Sequence, residues 1–85
     1  MDVRLTQAMI AALRETPEMP DNLLARLDAA RADRTEYVLS LTDDEAMALT
    51  EMCQWYIRRD PVTGTLGPKA QLFEAIVNAV YEAGG

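Results

Sequence analysis

Apolar positions recur at helical spacing along most of the chain. Leu5, Met9, Ile10 and Leu13 share one face of a helix predicted over 3–15, with Gln7, Arg14 and Glu15 opposite. Asp2 is its candidate N-cap, and Pro17 marks its end because the residue before a proline avoids the α region. Leu23, Leu24, Leu27 and Ala30 predict a second helix over 22–34 that starts from a cap at Asp21. Arg31 and Arg34 extend that stripe at the negative end of its dipole. A third helix is expected over 43–59. Thr42 and Glu45 form a capping box at its start, and Asp43 and Asp44 place acid in its first turn. Ala46, Leu49, Cys53, Tyr56 and Ile57 form its main face, which Ala48, Met52 and Trp55 widen. A fourth helix, over 68–83, opens on Pro68 and carries Leu72, Phe73, Ile76, Val77 and Val80, with Tyr81 at the edge.

Residues 36–41 break the helical pattern. Tyr37, Leu39 and Leu41 alternate with polar or smaller residues, the period of a strand. Either the second helix continues to about residue 40, or this segment is extended; the β-favouring Thr35, Tyr37 and Val38 support the strand. No second strong strand stands out, so its expected partner is the same segment of another copy, antiparallel about a two-fold axis. The expected architecture is a mainly α, single four-helix domain over 1–85, with a strand at 36–41 pairing across a homodimer.

Composition removes several chemistries. The chain has no histidine, one serine (Ser40) and one cysteine (Cys53), so a Ser–His or Cys–His nucleophile pair cannot be built. Zinc ligation by histidine and cysteine is excluded on the same count. The acids at 43–45 are accounted for by helix capping, and the loop over 62–69 lacks the spacing of a phosphate-binding glycine loop. We therefore expect no enzyme and no cofactor. Fourteen acids stand against eight bases, a net charge of −6. That charge is dispersed and opposes approach to nucleic acid or an anionic membrane. No apolar run nears the roughly 20 residues that span a bilayer, and the start of the chain lacks a signal-peptide pattern. With Cys53 unable to form an intrachain disulfide, the expected setting is cytoplasmic.

Two groups of residues remain as candidate sites. Tyr37, Leu39 and Leu41, with Met52 and Trp55 at the edge, form the expected self-association surface, since tryptophan and methionine are enriched in interface cores. Arg58, Arg59 and Lys69 flank the loop before the fourth helix and are an alternative anion or small-ligand site. Their simpler reading is dipole compensation and a solvated lysine.

In its order of strand, capped helix, turn and helix, the stretch 35–82 resembles the ribbon-helix-helix DNA-binding fold. In that family strands from two subunits pair, and their outer side chains read the major groove. The resemblance would place Glu36, Val38 and Ser40 on the outer face, none of them a base. The loop between the helices is longer than the family's. The polar face of the fourth helix, Glu74, Asn78 and Glu82, repels DNA. The expectation is a small non-enzymatic interaction or adaptor protein, self-associating as a homodimer and able to engage a further protein partner. A regulatory DNA binder is the alternative.

Overall fold

Val3 and Leu5 alternate with Arg4 and Thr6, and this short stretch sets the architecture. A computed structural model describes residues 1–17, 19–57 and 67–84. Its elements run β1 (Asp2–Thr6), α1 (Gln7–Arg14), α2 (Asp21–Asp28), β2 (Arg31–Asp33), β3 (Glu36–Ser40), α3 (Asp43–Tyr56) and α4 (Pro68–Gly84). Among the described residues, the three strands form one antiparallel sheet in the order β1–β3–β2. The fold is α+β, which corrects the expected four-helix domain.

The first correction lies at residues 2–6. Leu5 fits a helical stripe with Met9 equally well, so period alone does not separate the two readings. Pairing with β3 decides it: Val3 lies opposite Leu39 and Leu5 opposite Tyr37. Thr6, not Asp2, caps α1, its hydroxyl accepting from the Met9 backbone at 3.3 Å.

The second correction concerns residues 29–34. The predicted helix over 22–34 stops at Asp28, and Arg31–Asp33 becomes a strand paired with β3, Ala32 opposite Tyr37. Asp21 is the first residue of α2 rather than its cap; Pro20 holds the cap position with no side-chain hydrogen bond. Asp33 pairs with Glu36 across a two-residue turn, in which Arg34 takes a φ of 60°. Tight hairpins require this left-handed backbone and usually obtain it from glycine or asparagine. An arginine here costs of order 1–2 kcal/mol. Arg31 and Arg34 therefore lie on a hairpin and do not compensate a helix end.

The third correction is to the expected pairing of this strand with a second copy. The strand forms nearly where predicted, but within one chain β1 pairs along the whole of one edge and β2 along residues 36–38 of the other. The backbone groups of Met1 and Leu41 add a further rung, with Leu41 N donating to Met1 O at 2.9 Å. The strand therefore pairs within its own chain, in place of the ribbon between two copies that the ribbon-helix-helix resemblance implies.

One face of the sheet presents Val3, Leu5 and Leu39 to the core, where they meet Ile10 and Leu13 of α1, Leu23 and Leu27 of α2, Leu49 of α3 and Ile76 of α4. The other face surrounds the buried Val38 with polar residues, and Arg4 reaches across β3 to Asp33 at 2.7 Å. α4 packs against α3, β1 and α1. The predicted capping box of α3 forms in both directions: Glu45 N donates to Thr42 Oγ1 at 3.1 Å, and Thr42 N to Glu45 Oε1 at 2.9 Å.

Leu39 is 2 % exposed. A carboxylate in its place is buried without a partner, at a cost of about 4 kcal/mol or more against a domain stability of order 5 kcal/mol. Leu39→Asp should abolish the cooperative thermal transition seen by circular dichroism. A folded Leu39→Asp chain with an unchanged melting temperature would contradict this placement of β3.

Candidate functional site

The expected interface residues do not share a surface. Leu39 and Leu41 are core residues. Tyr37 is half-buried and lines a cavity of about 300 Å³ between α1 and α2, together with Gln7, Ile10, Leu27 and the Arg14–Asp28 ion pair. Met52 is partly buried against the core. Trp55 is 72 % exposed. Of the five, Trp55 alone offers a large apolar surface to a partner.

Of the candidate anion site, Arg58 and Arg59 lie outside the described residues. Lys69, in the first turn of α4, pairs with Glu15 at 3.3 Å. Its charge is thus matched by an acid across the α1–α4 contact.

Two residues were not singled out as interface positions. Met47 and Tyr81 are each 61 % exposed and line one cavity of about 450 Å³ between α3 and α4, with Met1, Asp43, Ala46, Thr50, Val80 and Gly84. The two helices run antiparallel: the start of α3 lies beside the end of α4, and at the other end the Tyr56 ring stacks on Phe73, with centroids 5.2 Å apart. The Met1 side chain closes against the last turn of α4, where a Cβ on Gly84 would lie 3.3 Å from Met1 Cε. Met47 is hidden in the sequence because its helical neighbours four residues away are Asp43 and Glu51, which read as a polar face. The available signal was the breadth of the apolar arcs of α3 and α4. Their inner halves fill the core, leaving Met47, Trp55 and Tyr81 outside and Tyr56 partly so.

Polar contacts anchor the start of α3. Glu45 is 8 % exposed and, besides closing the capping box, accepts from Arg26 Nε at 3.0 and 3.2 Å. This bond ties α2 to the start of α3, a link the sequence did not mark. Hydrogen bonds from the Thr42 backbone and then from Arg26 hold the Glu45 carboxyl below its ordinary value. Asp43 and Asp44 are exposed beside it. Among the described residues, no three histidine, cysteine or acidic side chains converge as a metal site. Cys53, on the inner face of α3, is fully buried, and burial pushes its thiol up to about 12.

Compared with models of protein families, with characterised proteins and with solved structures, the chain matches none. The fold and site define a small α+β domain, with a three-stranded sheet covered on one face by helices and an apolar crevice on its outer helical layer. No described helix is long and apolar enough to cross a membrane.

The depressed Glu45 carboxyl has a defined linkage. Its contribution to stability is complete above the ordinary value of 4.5 and is lost as pH falls through the lower folded-state value. Glu45→Gln keeps a residue able to close the capping box and removes only the charge. The variant should melt below the wild type at pH 7, and the gap should narrow as pH falls below 4.5. A gap independent of pH would contradict the charge-assisted role.

A buried, protonated thiol is unreactive. An aromatic disulfide reagent should leave Cys53 unmodified in the native protein and label it only on unfolding in urea. Rapid labelling of the folded chain would contradict its placement.

Proposed function

We propose that the protein is a small, non-enzymatic adaptor of the cytoplasm that binds other protein chains through the outer face of α3 and α4. The observation that carries this reading is the concentration of exposed large apolar side chains on these two helices. Met47 and Trp55 lie on one stripe of α3, separated by Glu51, and Tyr81 faces Met47 across the crevice. Monomer surfaces rarely keep such side chains together, and interface cores are enriched in methionine, tryptophan and tyrosine. The cytoplasmic setting draws support from the unpaired Cys53 thiol.

Self-association belongs to this proposal, in a form different from a shared ribbon. Trp55, with Glu51, Gln54 and Ile57, lines a shallow depression toward the end of α3. Two copies meeting there about a two-fold axis would bury both indoles. Eight residues separate Trp55 from Met47, about 12 Å along the helix, so such a contact leaves the Met47–Tyr81 crevice open.

Sedimentation equilibrium tests the contact. The average mass should rise with concentration toward that of a dimer, and Trp55→Ser should raise the dissociation constant about tenfold or more. A wild-type chain that remains monomeric at every concentration would remove self-association from the reading.

A further inference from the structure

The crevice between α3 and α4 combines apolar walls with negative charge. Met47 and Tyr81 form its sides, and Ala46, Val80 and the Met1 side chain contribute apolar surface between them. Asp43 lies within it, and Asp44 is exposed next to it in the first turn of the same helix. The last turn of α4 also reaches this end and carries no basic residue, so none of its own side chains offsets the partial negative charge of its terminal carbonyls. Among the described residues no basic side chain lines the crevice, and the α-ammonium of Met1, which does reach it, is bonded to the Leu41 carbonyl at 2.6 Å. Arg4, Arg14, Arg26 and Lys69 are each engaged with an acid elsewhere: Asp33, Asp28, Glu45 and Glu15.

We propose that this crevice binds a basic, amphipathic segment of a partner protein. An apolar side chain of that segment seats between Met47 and Tyr81, and a lysine or arginine about one turn away meets Asp43 and the carbonyl end of α4. Flexible methionine accommodates varied apolar anchors, tyrosine supplies rigid contact area, and the charge selects the flanking residues. A second copy of this chain fits less well, because an isologous contact sets the acids of one crevice against those of the other. The inference rests on the adaptor reading but not on the Trp55 contact.

The test uses the full chain carrying Trp55→Ser, so self-association is read separately from the crevice. The probe is a synthetic amphipathic helix of leucine and lysine, with a leucine–glutamate counterpart as control. Titration followed by amide resonances should shift Ala46, Met47, Val80 and Tyr81 with the lysine peptide and leave them unmoved with the glutamate peptide. Tyr81→Ser and Asp43→Lys should each weaken binding about tenfold. Both positions are exposed, and a melting curve close to that of the parent confirms that each variant folds. Glu15→Lys changes the charge equally at the opposite end of α4, beside Lys69, and should weaken binding far less. The proposal is overturned if the lysine peptide leaves the crevice resonances unmoved, if Glu15→Lys matches Asp43→Lys, or if the glutamate peptide binds equally well. Crevice resonances that shift with protein concentration alone would place a second copy there and overturn it as well.

Discussion

The pairing of β1 with β3 is the contact on which the other elements depend. It joins the first residues of the chain to a segment beyond two helices, setting Val3 against Leu39 and Leu5 against Tyr37. Closing so long a loop is entropically unfavourable, and the core face of the pair offsets it: Val3, Leu5 and Leu39 are almost wholly removed from water. Once formed, β3 offers its other edge to β2, and the hairpin closes even through an arginine in the left-handed region. The inner face of the sheet then becomes the floor on which the helices pack. Along β1, α4 lies close and limits access to that side of the sheet.

This dependence explains what could be read from the residues and what could not. The starts of α3 and α4 were legible because capping boxes and N-terminal prolines act locally. The strand at 36–40 was legible from its alternation, but its partners were not. β1 spans five residues and shares Leu5 with a plausible helical stripe, while β2 spans only three. The turn between β2 and β3 lacks the glycine or asparagine that would have announced a hairpin. With both partners hidden, a lone strand implied a second copy. The interface residues on that strand followed the same error, because the alternation that marks a strand's buried face also describes a face available to a partner.

The electrostatics separate structural groups from available ones in a similar way. Glu45 and Arg26 fix the start of α3 to α2, and this explains why three consecutive acids can stand at one helix start without forming a site. The inward-facing member is saturated by the capping box and the guanidinium. Asp43 and Asp44 remain in solvent, where they favour the dipole and give this end of the helix pair its sign.

The shape of the crevice follows from side-chain size at the two ends of the α3–α4 pair. Where α3 ends, Tyr56 lies on Phe73 and aromatic rings occupy the space between the helices. Where α3 begins, the facing positions include Ala46, Val80 and Gly84, which are too small to fill it. Larger residues at Ala46 and Gly84 would extend the apolar packing and cover Met47 and Tyr81 from within, although the Met1 side chain would have to yield to a Cβ on Gly84. With small residues in place, a bulky apolar pair stands over an unfilled gap beside the exposed carboxylates of Asp43 and Asp44. A basic segment with an apolar anchor satisfies both conditions at once.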